Sequence, residues 1–283
     1  MPLIKSIGRK QLIELTLVGD DDPLTMKRRR KLDFLFFPCL KTVDQIIPIS
    51  SQLNSLTLRA GIDPSRVRQI PVGVDTTLFH PVDPSRRVVL KKELGLDIFD
   101  QVLISVGRIE ERKRWEIPIA AFGRIVADYP KAVYLIIGPS NDNDNPYYQK
   151  LLRLVAEKNL QGKVLFLGKR ANVSDYMKAA DCLLHAALKE GLPNTLVEAA
   201  CCALPIVCRR MEGIAGDIII NDRVGFELDS DDPLEYKNRG DVLLSLGEVP
   251  QENGAVPKLH KKFAIQRVAK QYHDLFNNLC ELT

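Results

Sequence analysis

What the 283-residue sequence lacks narrows its function first. No apolar run approaches the ~20 residues of a membrane-spanning helix, and the opening MPLIKSIGRKQLIELTLVGDDDP has no unbroken apolar core of the kind that marks a secretory signal. The expectation is a cytoplasmic protein. The six cysteines, Cys39, Cys182, Cys201, Cys202, Cys208 and Cys280, include no C-x-x-C pair. They read as reduced core thiols, and no metal is expected. Internal repeats and low-complexity tracts are absent. A net charge of only +4 leaves no global nucleic-acid footprint, so no nucleic-acid partner is expected. The one dense basic run is KRRRK, Lys27 to Lys31. Its plain reading is a solvated helix face. Because LDFLFFP follows it directly, the other reading is peripheral contact with the anionic inner face of a membrane.

From about residue 100, short apolar runs alternate with longer amphipathic ones. VLISVG (102–107), VYLIIG (133–138), VLFLG (164–168), CLLHA (182–186), PIVCR (205–209) and VGFEL (224–228) are rich in β-branched residues or leucine and do not alternate. Such runs suit strands buried on both faces. WEIPIAAFGRIVADYP, PYYQKLLRLVAEKNL, NVSDYMKAA and NTLVEAACCA lie between them as helices. The order predicts an α/β fold with a doubly wound, Rossmann-like parallel sheet. Upstream, QLIELTL, QIIPIS and VRQIPVG are expected strands, and a proline-bearing stretch around Pro71 to Pro84 reads as a linker. HKKFAIQRVAKQYHDLFNNLCEL is expected to form one long terminal helix. The predicted organisation is therefore a partial N-terminal α/β unit over 1–80, a nucleotide-binding unit over 81–258, and a C-terminal helix over 259–283 that packs back on the first.

Ligands of an open α/β sheet sit beyond the carboxyl ends of its strands, and LKEGLPN (188–194) is such a loop. Gly191 is expected to let a ligand approach the backbone, Pro193 suits a first helical turn, and Asn194 or Thr195 can cap. The freed amides around them form a place for phosphate oxygens. A carboxylate beside that place would repel phosphate, so Glu190 should face a hydroxyl-rich sugar. Glu198, one turn into the helix, can accept two hydrogen bonds from a ribose diol. The plainer alternative is a surface Glu190 and a capping or salt-bridged Glu198. In RIEERKRWE, after Gly107 has let the chain turn, Arg108 and Lys113 are expected to converge on the same crevice. Two fixed cations there suit a diphosphate whose charge grows as a bond to it breaks.

Together these segments resemble the retaining GT-B glycosyltransferases of family 4, the glycosyl transferases group 1 family. The resemblance is carried by IPVGVDTTLFHP, SVGRIEERKRWEIPIAAF, YLIIGP, MKAADCLLHAALKEGLPNTLVEAACCALPIVCRRMEGI and DIIINDRVGFEL. It implies a GT-B-like fold and transfer of a sugar from a UDP- or GDP-sugar with retention of configuration and without a metal. The acceptor it implies is a saccharide or a lipid-linked one. Arg108 and Lys113 would grip the diphosphate, and Glu190 would contact the transferred sugar. The backbone from Gly191 through Leu192, Pro193 and Asn194 to Thr195 would lie at sugar and phosphate, Glu198 at the ribose, and Lys169 and Arg170 near the base. The sequence departs from the family pattern at Ala203, a mild change at a glycine-like position. It departs again at Glu212, which replaces one glycine of a Gly-Gly turn, and at Arg114, where a glycine is common. The resemblance also implies a longer N-terminal lobe, so the expectation is an incomplete one, completed by a separate N-terminal half or left as a donor-binding remnant.

Overall fold

A computed structural model of the chain describes residues 9–28, 33–140, 145–246 and 254–281. Arg29, Arg30 and Lys31 of the basic run lie outside the described residues. The side chains of 33–36, and with them much of LDFLFFP, do too.

The N-terminal part begins with strand β1 (Leu12–Leu15), followed by helices α1 (Pro23–Arg28) and α2 (Asp33–Leu40). Strand β2 (Gln45–Pro48) then pairs with β1 in parallel, Leu12 opposite Gln45 and Leu15 opposite Pro48. Helix α3 (Ser51–Arg59) follows at once, with the Ser50 side chain accepting from the Leu53 amide as its cap. The expected third strand at VRQIPVG is reduced to a single bridge between Ile46 and Val67. Arg68 N–H donates to the Ile46 carbonyl and Ile70 N–H to that of Pro48. Pro48 has no N–H to return the next bond of the ladder, so regular pairing stops there.

Helix α4 (Pro84–Glu93) leads into a six-stranded sheet. Its strands are β3 (Gln101–Val106), β4 (Ala132–Ile137), β5 (Val164–Gly168), β6 (Cys182–His185), β7 (Ile206–Arg209) and β8 (Gly225–Leu228). Each begins and ends within a residue or so of an apolar run in the sequence. All adjacent pairs are parallel, and the spatial order is β5-β4-β3-β6-β7-β8. Winding runs outward from β3 to β5, returns to β6 beside β3, and runs outward the other way. The loops leaving β3 and β6 therefore diverge and open a crevice between them.

Helices α5 (Glu116–Asp128), α6 (Pro146–Glu157), α7 (Val173–Ala179), α8 (Asn194–Cys201) and α9 (Pro233–Leu246) cover both faces. Strand periodicity sorts the core. Leu103, Tyr134, Ile136 and Leu184 face Ile119, Phe122, Leu151 and Tyr236 of α5, α6 and α9. Val102, Ile104, Leu135 and Leu183 face α4, α7 and α8, in a cluster continuous with Ile46, Ile49 and Leu53 of the N-terminal part.

The expected single terminal helix is two, α10 (Ala255–Phe263) and α11 (Ile265–Glu281). Between them Ala264 is extended (φ −53, ψ 128), because the linker residue Val74 pairs there. Val74 N–H donates to the Phe263 carbonyl, and its own carbonyl accepts from Ile265. Helix α11 then packs Val268, Leu275 and Leu279 on Ile47 and Ile70, and Tyr272 donates to Glu14 of β1. Among the described residues no helix is long and apolar enough to cross a membrane.

One departure noted in the sequence has a backbone cost. After α8, Ala203 sits at φ +58. Ala203 N–H donates to the Ala200 carbonyl and Leu204 N–H to that of Ala199, the bonding of a helix end that glycine favours. Ala203→Gly is expected to raise stability by about 1 kcal/mol. An unchanged or lower urea midpoint would count against the strain.

Candidate active site

Two loops meet at the crevice, and each is built from local structure. Beyond Val106 the chain passes Gly107 and forms a short 3-10 turn, Glu111–Lys113, before α5. Beyond His185 it runs through 186–193 into α8. The loops are stitched together. Leu188 N–H donates to the Arg112 carbonyl (2.8 Å), and the Arg112 guanidinium to the Lys189 carbonyl (3.1 Å). Thr195 Oγ1 donates to the Val106 carbonyl (3.2 Å), tying the start of α8 to the end of β3.

Within this frame Lys113 Nζ lies 2.5 Å from Glu190 Oε1, and Arg112 Nη1 lies 3.4 Å from Glu190 Oε2. His185 Nε2, at the end of β6, is 3.6 Å from Glu190 Oε1, just beyond hydrogen-bond length. Glu190 is 8% exposed and His185 5%. Gly107 underlies the lysine: a Cβ there would stand 3.7 Å from Lys113 Nζ. Of the expected cation pair, the structure brings Lys113 to Glu190 and turns Arg108 elsewhere. Arg108 pairs with Glu110 at 2.9 Å and is largely exposed. The arginine on Glu190 is Arg112, which sequence reasoning missed along with His185. Arg112 precedes Lys113 in the turn, and His185 is the one polar residue closing the CLLH strand. Both were visible signals.

Burial alone would raise the Glu190 carboxyl. The His185 ring and the Lys113 charge outweigh it and bring it down to about 2. Burial holds the His185 imidazole below its usual value, and the neighbouring Lys113 and Arg112 charges act in the same direction. Glu198 differs. It is half-buried and has neither a hydrogen bond nor an ion pair among the described residues, and burial raises its carboxyl. It is neither a cap nor a salt-bridge partner. No side chain caps α8, because Pro193 occupies the cap position and Thr195 spends its hydroxyl on Val106. The expectation that Asn194 or Thr195 caps the helix is thus corrected, and the first amides of α8 remain uncapped.

Gly191 also has a different purpose from the one expected. A Cβ there would come within 1.8 Å of the Thr16 carbonyl oxygen, so the residue admits the protein's own N-terminal turn. Val18 N–H donates to the Glu190 carbonyl in the same contact. Leu192 and Pro193 are buried, with Leu192 in the core, while Asn194 is exposed. Lys169 and Arg170 are exposed just past β5, two strands or about 10 Å along the carboxyl edge from β3. Arg114 takes φ +54, which explains the glycine common there, and its guanidinium pairs with Asp231 at 2.7 Å. Glu212 is exposed, and the neighbouring Gly213 turns its carbonyl to the Gln52 amide. A cavity of about 380 Å³ bounded by Gly216, Asp217, Asn221, Lys258 and Lys262 shares no residue with the cluster. Among the described residues no group of three or more His, Cys, Asp or Glu side chains could hold a metal ion.

The profile of the family described as Glycosyl transferases group 1 matches residues 89–254. The chain belongs to that family. It is similar to the N-acetyl-alpha-D-glucosaminyl L-malate synthase of Bacillus anthracis, at 28% identity over 189 residues, covering 66% of this chain and 48% of the relative. It is also similar to the N-acetylgalactosamine-N,N'-diacetylbacillosaminyl-diphospho-undecaprenol 4-alpha-N-acetylgalactosaminyltransferase of Campylobacter jejuni, at 32% over 199 residues, covering 70% and 50%. The chain thus spans about half the length of these curated relatives. The crystal structure of Anabaena Alr3699/HepE in complex with UDP and glucose superposes with a TM-score of 0.80 at 20% identity, over 97% of this chain and 73% of that one. The architecture is the α/β fold of the GT-B glycosyltransferases.

The pH response of this group 1 domain follows from the buried pair. Held below its ordinary 6.5, His185 contributes stability that is present above that value and lost as the pH falls through it. Glu190, at about 2 against an ordinary 4.5, extends the loss below pH 4.5. Glu198, raised by burial, opposes this, because ionising it costs stability as the pH climbs past 4.5. The clean readout is therefore a difference. Wild type should lose more stability between pH 7 and 5 in urea titrations than His185→Gln does; parallel profiles would contradict the assignment.

Proposed function

We propose that this family member transfers a sugar from a nucleoside-diphosphate sugar to a hydroxyl acceptor, with retention of anomeric configuration, as a family 4 enzyme. The observation that carries the proposal is the Lys113–Glu190 contact at the carboxyl ends of the adjacent strands β3 and β6, beside the uncapped start of α8. Lys113, with Arg108 on the same loop, takes the diphosphate together with the amides of Asn194 and Thr195. Glu190 meets the hydroxyls of the transferred sugar. Glu198, a half-buried carboxylate without a partner among the described residues, takes the ribose diol. Lys169 and Arg170 stand toward the base.

The state of Glu190 bears on mechanism. A carboxylate paired with two cations and held near 2 is a weak base and a weak nucleophile at neutral pH. It suits orientation of the sugar better than covalent attack. The leaving diphosphate then serves as the base that takes the acceptor proton on the face it departs from, which retains configuration. Lys113 stabilises the charge that grows on it. Two cations at this place also disfavour a divalent metal beside Glu190. The acceptor is a saccharide or a lipid-linked saccharide, reaching Glu190 past the Thr16–Asp22 turn. UDP as the leaving group is supported by the UDP named with the Anabaena structure, and a GDP-sugar is the other candidate.

UDP-glucose or GDP-mannose is expected to raise the melting temperature, and Lys113→Ala to abolish the rise and cut transfer by about a hundredfold. Glu190→Gln should keep the nucleotide-dependent rise while losing transfer. The proposal fails if neither donor shifts the wild type, or if Lys113→Ala leaves the shift intact.

A further inference from the structure

Lys113 and Arg112 hold Glu190 from one side only, since both come from the 3-10 turn after β3. Either cation weakens its hold on the carboxylate when it turns toward a phosphate. Among the described residues, the other basic side chain within 4 Å of the Glu190 carboxylate is His185, through Nε2. It comes from another element, β6, whose residues Cys182, Leu183 and Leu184 are fully buried and whose last residue pairs in register with Cys208 of β7. We infer that His185 is a positioning residue, a neutral imidazole that gives its Nε2–H to Glu190 and fixes the carboxylate at the transferred sugar. The inference rests on the reading of Glu190 as the sugar contact.

Three observations carry it. Nε2 is buried and has no hydrogen-bond partner among the described residues, so the 3.6 Å to Glu190 Oε1 is the approach left to it. A rotation that brings the atoms a few tenths of an ångström closer completes a charge-assisted bond. Burial, helped by the Lys113 and Arg112 charges, outweighs the opposite pull of Glu190 and favours the uncharged ring, so it serves as a donor to the carboxylate rather than as a second counter-ion. On the same loop, Lys189 lies 3.9 Å from Asp20 of the N-terminal turn. A strand-borne donor holds the carboxylate steady however the loop cations move. That steadiness matters, because a misplacement of about 1 Å at a reacting centre costs about a hundredfold in rate.

Two measurements on the full chain decide it. In ¹⁵N NMR of the histidine rings, His185 should be the neutral Nε2–H tautomer, and its Nε2–H proton should move upfield in Glu190→Ala. An Nδ1–H tautomer, or ring resonances unmoved by Glu190→Ala, overturns the inference. In turnover of UDP-glucose, His185→Phe should lower kcat about tenfold or more with KM within about twofold. His185→Gln, which places an N–H near the same point, should recover most of it. Wild-type kcat in His185→Phe, or a Gln variant as slow as Phe, overturns it as well. A chain that neither binds nor turns over UDP-glucose counts against the functional reading, and the ring resonances still decide the His185–Glu190 contact.

Discussion

The ion pair between Lys113 and Glu190 spans the one place where the sheet reverses its winding, and the surrounding structure answers to it. A carboxylate 8% exposed beside a buried histidine is costly unless it is paired. Neither β6 nor α8 carries a lysine or arginine to pair with it. The pairing cation comes from the neighbouring strand's loop, which requires a tight turn immediately after Val106. Gly107, the 3-10 turn and the left-handed Arg114 supply that turn, and Asp231 helps hold Arg114 in its strained conformation.

The same loop is gripped from the N-terminal side. The turn after β1 rests its Thr16 carbonyl where a side chain at Gly191 would be, and Val18 binds the Glu190 carbonyl. Farther along, Asp217 accepts from the amide and hydroxyl of Ser51 and from Lys262, which joins the start of α3 to α10. Together with the packing of α11 on Ile47 and Ile70, these contacts bring the two α/β parts together with the Glu190 loop between them. One face of the glutamate loop thus belongs to the sheet and the other to the N-terminal part.

How much of this could be read beforehand depended on the range of the interaction involved. Strands such as VYLIIG, buried on both faces, declare themselves by composition, and all six fell where their apolar runs lie. Strand–loop–helix order puts the loops of Lys113 and Glu190 on one edge of the sheet, but does not show that the two side chains pair. Most of the misreadings depend on a contact distant in sequence. VRQIPVG fails as a strand because its neighbour contains Pro48, and the last helix breaks because Val74 reaches Ala264. Gly191 admits Thr16, while Arg108 is held locally by Glu110, two residues along the same loop. The positive φ of Ala203 is likewise local, set by the end of α8.

The central claim is that the crevice at the carboxyl ends of β3 and β6, organised by Glu190, is where a nucleoside diphosphate binds. A crystal structure of the chain soaked with UDP tests it most directly. The account predicts phosphate oxygens within hydrogen-bond reach of Lys113 and of the first amides of α8, with the ribose diol on Glu198. UDP bound elsewhere, such as against Lys258 and Lys262 in the cavity by Asp217, with Lys113 untouched, would contradict it.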